Sequence, residues 1–255
     1  AIADVARPPG FRSPQNMYTP TRLNSRGWDL DDPDTLASLE LGSRSLELPH
    51  MPPDASPKQA EAISAEARTA TAPWANTPHA HRVALLEKTA DLLEANAKEK
   101  FELLARETGK TRGDGVGDLR EAVDFCRYYA AQARSSTTSS TPRGVVLAIS
   151  PWNFPLAIFT GQIAAALVAG NTVVATPAEQ TPRIAARVVE LMVEAGIPET
   201  VVQLICGPGE SIGTLLCGAG EADMVVFAGS TQTARHIACA IAVSSRPAAP
   251  LLAET

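Results

Sequence analysis

No stretch of this 255-residue chain reaches the ~20 consecutive apolar residues that a membrane-spanning helix needs. The first residues, Ala-Ile-Ala-Asp, have neither the basic start nor the apolar run of a secretory signal. Clustered basic charge is also missing. The formal net charge is −6, which argues against nucleic-acid binding as a main activity, because phosphate contacts need grouped Lys and Arg. Cysteine is sparse. Cys126, Cys206, Cys217 and Cys239 are far apart, lie in apolar contexts and have no metal-ligand spacing. They are expected to be reduced core thiols in a cytoplasmic protein. His50, His79, His81 and His236 pair with no candidate nucleophile and read as surface or packing residues. The chain does not begin with Met and stops in a strand-like Leu-Leu-Ala-Glu-Thr, so a piece of a longer polypeptide is expected.

What is present centres on residues 144–179. Gly144 to Ile149 is a short, β-branched apolar run that suits a buried strand. Pro151 stops it, and Pro155 sits where a helix can begin. Leu156 to Ala169 is nearly all Ala, Leu, Ile and Val, closed by Gly170-Asn171 as helices commonly are. Thr172 to Ala175 is a second β-branched run. Strand, helix, strand makes a βαβ crossover and hence a parallel sheet. Ligands bind at the carboxyl ends of such strands, which here carry Ser150, Trp152, Asn153 and the segment from Thr176 to Glu179.

The flanking chain falls into two further parts. Residues 1–56, rich in Pro, Asp, Ser and Arg, read as a linker from a preceding domain, with outright disorder as the alternative. Residues 57–143 carry four helical patterns. Ser56-Pro57 starts the first, and Trp74 is expected to seat it on the second. Leu119, Val123, Phe125, Cys126 and Tyr129 mark the fourth. The polar run 135–143 is a joint. After residue 180 helices and strands alternate, with strands at 201–205, 224–228 and 250–253 and a short helix at 210–217. The expected fold is therefore α/β: a doubly wound, Rossmann-like parallel sheet of about five strands over 144–255, with an N-terminal helical segment. The sequence Gly109-Lys110-Thr111 is no phosphate loop, since the upstream Gly and preceding strand are missing.

Ser150-Pro-Trp-Asn-Phe-Pro, followed by Pro177-Ala-Glu-Gln-Thr-Pro, resembles the aldehyde dehydrogenase superfamily. With Asn24-Ser-Arg-Gly-Trp-Asp-Leu and Ala253-Glu-Thr, the resemblance is nearest to one branch. That branch is the glutamate-semialdehyde (1-pyrroline-5-carboxylate) dehydrogenase module of the bifunctional proline utilization A flavoenzymes. It implies NAD as cofactor, glutamate semialdehyde as substrate and a proline dehydrogenase domain as partner. It also implies that the sheet is an NAD-binding domain ending before the catalytic domain. The superfamily carries a longer β-arm near 135–143 that helps build its oligomer, and this chain is short there.

Residue by residue, the resemblance makes Asn153 an oxyanion donor, where the spacing alone favours a turn Asn bonded to its own backbone. It makes Glu254 the base that activates water, where the bare alternative is a strand-end carboxylate. Ile149, Ser150, Pro151 and Trp152 come beside the nicotinamide and its ribose. Thr176, which stands where the family carries Lys, and Glu179 face the adenosine ribose. A carboxylate there favours NAD over NADP, and it also fits the start of a helix. Thr176 is expected in a strand-end loop open to ligand. Gly209 and Gly213 approach the adenine. Phe227, Gly229, Ser230 and Thr233 form a strand–helix turn whose free N–H groups suit a pyrophosphate, with Ala228 where the family has Thr. None of the four cysteines occupies the family's nucleophile position, so the chain alone is expected to be inactive.

Overall fold

The computed structural model describes residues 10, 12–39, 49–136, 141–218, 221–244 and 247–255. A short 3-10 helix, Pro14–Asn16, is followed by α1 (Pro33–Leu39), α2 (Pro57–Ala75), α3 (His79–Ala95), α4 (Ala97–Thr108) and α5 (Arg112–Ser135). Then come β1 (Val145–Ile149), α6 (Ala157–Val168), β2 (Thr172–Thr176), α7 (Pro182–Ala195) and β3 (Val202–Leu204). A π-helical turn, Gly209–Gly213, leads into α8 (Thr214–Gly218), β4 (Met224–Ala228), α9 (Thr231–Ala242) and β5 (Leu251–Glu254). The expected short helix at 210–217 is thus split, its first turn being π, a form found often at functional sites.

The five strands form one parallel sheet in the order β3-β2-β1-β4-β5. The α/β expectation holds, and the chain reverses its direction of winding between β1 and β4. Side chains alternate across the sheet. Val145, Leu147, Val174, Val225 and Phe227 pack with α2, α8 and α9 on one face. Val146, Ala148, Val173 and Ala175 pack with α6 and α7 on the other. Burial on both faces is why these strands read as unbroken apolar runs.

The four helices from α2 to α5 do not all lie on the sheet. α2 packs against β1 and β2, whereas α3, α4 and α5 form an outer layer over α6 and α7. The start of α2 carries the expected cap: the Ser56 side chain accepts from Gln59 N, and the Gln59 side chain accepts from Ser56 N. Trp74 is buried, and its Nε1 donates to Leu167 O near the end of α6 at 3.1 Å. Arg82 Nε donates to the neighbouring Val168 O at 3.1 Å. Two helices thereby satisfy carbonyls that the end of α6 leaves open.

The segment before α2 is ordered where it is described, and it lies on this chain's own helices. Trp28 packs edge-on against Phe101 at 5.6 Å. Ser25 N donates to Asp124 Oδ1 at 2.6 Å. Arg127 donates to Asn24 O and pairs with Glu94 and Asp91. Residues 1–9, 11 and 40–48 of the expected linker lie outside the described residues, as do 137–140 of the polar joint.

Candidate active site

Strand register brings the carboxyl ends together. Ile149 on β1 pairs with Thr176 on β2 and with Phe227 on β4, and Phe227 pairs with Ala253 on β5. One residue further along, Ala228 pairs with Glu254, whose carbonyl accepts from Gly229 N at 3.1 Å. Ser150 N donates to Thr176 O at 3.2 Å. Six of the predicted residues, Ile149, Ser150, Thr176, Phe227, Gly229 and Glu254, therefore share one edge at the point where winding reverses. In open α/β sheets ligands bind at that crevice.

The turn after β1 stands out from the sheet. Trp152 is 54% exposed and Phe154 40% exposed, and Pro151 is half-buried. Asn153 is exposed, with no side-chain hydrogen bond among the described residues. The alternative of an Asn bonded to its own backbone is not what the structure adopts. The turn is gripped from outside. Asp118 on α5, fully buried, accepts from Ala157 N at the start of α6 through Oδ1 at 2.7 Å. Lys110 Nζ lies 3.5 Å from Asp118 Oδ2 and 4.2 Å from the centre of the Phe154 ring. Gly109 ends α4 in the left-handed conformation and Thr111 caps α5, so Lys110 sits in a helix–helix turn as the missing phosphate-loop signals require.

Sequence reasoning passed over Asp118. The signal was available: α5 buries Gly115, Asp118, Leu119, Ala122, Val123 and Cys126, so a carboxylate interrupts an apolar helical stripe.

Thr176 is not in an open loop. It is the last residue of β2 and only 3% exposed, and its Oγ1 is buried without a hydrogen-bond partner. A strand paired on both sides leaves that side chain inside the sheet edge. Glu179 is exposed, in the loop between β2 and α7. Beyond it the first turn of α7 is held by Glu107 of α4, whose carboxylate oxygens accept from Arg183 N and Ile184 N, each at 2.9 Å. A carboxylate there also complements the positive end of α7.

Glu179 lines a cleft of about 340 Å³ with Pro177, Cys206, Gly207 and residues 51–54. Gly209 and Gly213 belong to the neighbouring π turn and do not line it. The contribution of residues 51–54 had no signal in the sequence, because it depends on Ala55 N bonding to Cys206 O at 2.8 Å.

On the other side, Phe227 is buried and Gly229 follows it closely. A Cβ at Gly229 would come within 2.6 Å of the Phe227 ring, so only glycine fits. Ser230 caps α9, accepting from Thr233 N at 3.1 Å, and its hydroxyl also bonds that of Thr233. Both side chains are exposed at the helix start. Exposed Glu254 and buried Phe227 line a second, larger cavity of about 590 Å³ with Phe125, Tyr129 and Gln162.

The cysteines divide. Cys126, Cys206 and Cys217 are buried, and burial first of all pushes their thiols up, to about 12, about 12 and about 11. Cys239 is exposed, which corrects the expectation of four core thiols: it lies on the outer side of α9. Three of the four are therefore protonated and inert at neutral pH. In the folded chain iodoacetamide is expected to alkylate one thiol, Cys239, rising to four in urea, as read by intact mass.

The orphaned hydroxyl at the end of β2 yields a second expected result. Thr176→Val keeps the shape and removes the unpaired group, so the ligand-free chain gains about 1–3 kcal/mol. The urea midpoint should rise, and an unchanged midpoint would mean that the hydroxyl already has a partner.

Comparison with known proteins agrees with this geometry. The aldehyde dehydrogenase family pattern matches residues 48–254. The bifunctional protein PutA of Escherichia coli is 42% identical over 283 aligned residues, which cover 97% of this chain and 21% of that protein. A 1-pyrroline-5-carboxylate dehydrogenase of Bacillus subtilis is 36% identical, over 72% of this chain and 38% of that protein. A crystal structure of proline utilization A from Bradyrhizobium japonicum superposes with a TM-score of 0.88 at 45% identity, over 97% of this chain and 26% of that one. The chain thus spans about a fifth to a quarter of the PutA proteins it matches. The sheet, the turn after β1 and the matched span agree: this chain belongs to the aldehyde dehydrogenase family.

Proposed function

We propose that this chain is the dinucleotide-binding part of an NAD-dependent enzyme that oxidises glutamate 5-semialdehyde to glutamate, working beside a proline dehydrogenase domain in the cytoplasm. The observation that carries the reading is the shared edge of Ile149, Thr176 and Phe227, flanked by exposed Asn153 and Glu254. The residues present fit a dinucleotide. The unpaired Thr176 hydroxyl is a buried polar group awaiting a partner, and Glu179 offers a carboxylate at the adjoining cleft. Ile149, Ser150, Pro151 and Trp152 would flank the nicotinamide end, and Phe227, Gly229, Ser230 and Thr233 the pyrophosphate. Gly209 and Gly213 would lie toward the adenine. When bound, NAD supplies the hydride acceptor.

The chain's own residues then have two chemical tasks. The Asn153 carboxamide donates a hydrogen bond to the oxyanion that develops when a thiolate adds to the aldehyde carbon. On this reading the thiolate belongs to another part of the enzyme: Cys126, Cys206 and Cys217 are buried and protonated, and Cys239 stands on the outer side of α9. Glu254 takes a proton from the water that releases the acid. It lines the larger cavity, which suits that role. The competing reading is a nucleotide-binding or scaffold fragment without turnover. It is favoured by the same burial of three of the four thiols, and by Thr176 standing where the family has Lys.

Cofactor choice tests the assignment. Glu179 would face the 2′-phosphate of NADP, and like charges at that distance repel. Calorimetric titration is expected to show NAD binding more tightly than NADP. Equal or reversed affinities would mean that Glu179 does not meet the ribose.

A further inference from the structure

We propose that Lys110 and Asp118 are positioning residues that hold the turn after β1, and so aim Asn153. The inference rests on reading Asn153 as the oxyanion donor. Asn153 has no side-chain hydrogen bond among the described residues, so nothing of its own fixes its direction. The residues that follow it are fixed instead. Lys110 Nζ sits over the Phe154 ring at 4.2 Å, within the range of a cation–π contact. Asp118 holds Ala157 N at 2.7 Å. The 3.5 Å approach of Lys110 to Asp118 ties these two grips together, so the turn is clamped at Phe154 and at Ala157 by one ion pair.

The ionic form is the informative part. A neutral Asn at 118 could still accept from Ala157 N, though more weakly, and burying an ion pair is seldom the more stable choice. Beyond strengthening that bond, the charge holds Lys110, whose side chain is 12% exposed. The charged groups facing Asp118 are Lys110, from the α4–α5 turn, and Glu121 on its own helix, while α6 presents the Ala157 N–H. Burial pushes the Asp118 carboxyl up to about 6, against the pull of Ala157 N–H and Lys110. Above that pH the pair is ionic. Below it Asp118 takes a proton and Lys110 loses its partner, while the carboxyl can still accept from Ala157 N.

Trp152 provides the readout, because it lies on the turn and is 54% exposed, whereas Trp28 and Trp74 are 9% and 3% exposed. Acrylamide quenching of the full chain, followed from about pH 8 to about pH 5, is expected to rise in a step centred near pH 6. Asp118→Asn and Lys110→Met should each give the high-quenching value throughout and no step. Lys110→Arg should restore it. Far-ultraviolet circular dichroism checks that each variant is folded, and a merely structural role would not create a pH step at Trp152. A flat profile in the unaltered chain, or a step that persists in Lys110→Met, overturns the proposal.

A kinetic arm separates its failure from that of the functional reading. In the complete enzyme Lys110→Met should lower kcat by roughly 10- to 100-fold with KM little changed. A step at Trp152 with unaltered kcat would uphold the clamp and remove Asn153 from the chemistry.

Discussion

Arg127→Ala is expected to cost this chain about 3–5 kcal/mol of folding stability, the usual range when one partner of a buried ion pair is removed. Arg127 is 7% exposed. Its guanidinium meets Glu94 Oε2 at 3.0 Å and Asp91 Oδ1 at 2.9 Å, and donates to the carbonyl of Asn24. Glu94 in turn accepts from Arg26 N at 2.7 Å. Truncation leaves Glu94, 8% exposed, without its countercharge and the Asn24 carbonyl without its donor.

The loss is larger than that of any surface pair here, such as Arg134 with Glu87, both about half exposed, for which roughly 0–1 kcal/mol is the expected range. Urea unfolding of the two variants, Arg127→Ala and Arg134→Ala, makes the comparison within one protein. Limited proteolysis adds a local readout, since the segment 24–28 should become cleavable first in Arg127→Ala. If the two variants unfold at similar urea concentrations, the Arg127 node contributes no more than a surface pair.

Asn153→Ala is expected to lower kcat of the complete enzyme by about 100- to 1000-fold, the usual effect of deleting one oxyanion donor. The fold should not register the change. Asn153 is exposed, and its side chain makes no hydrogen bond among the described residues, so the unfolding midpoint should move by no more than about 0.5 kcal/mol. This pairing of a large kinetic loss with an unchanged midpoint distinguishes a catalytic donor from a turn former. A loss of stability with intact kcat would assign Asn153 to holding the turn.

Much of the fold was legible because it rests on local signals. β-branched runs bounded by Pro, Gly and Asn gave β1, β2 and β4 within a residue or so of their observed ends. Strand–helix alternation gave the parallel sheet, since a crossover of that length admits no other pairing. The Ser56-Pro57 start of α2 needed only neighbouring residues to be recognised. The turn from Ser150 to Pro155 was distinctive enough to indicate the family.

Other features depended on residues far apart in sequence. Asp118 and Ala157 meet across 39 positions, and Asp223 holds Val145 N across 78. Thr176 looked like a loop residue because nothing local shows that β2 continues through it, paired with Ile149 of β1. Residues 12–39 read only as a linker because their apolar and charged partners, Phe101, Glu94, Asp124 and Arg127, all lie on later helices.

The sequence by itself therefore determined the element types, the parallel sheet and the family, since these follow from periodicity, turn chemistry and one contiguous motif. Tertiary structure alone decided which carboxylates are buried, which hydroxyl is left unpaired and what clamps the turn that carries Asn153. Desolvation and pairing depend on three-dimensional neighbours, and no local pattern encodes those.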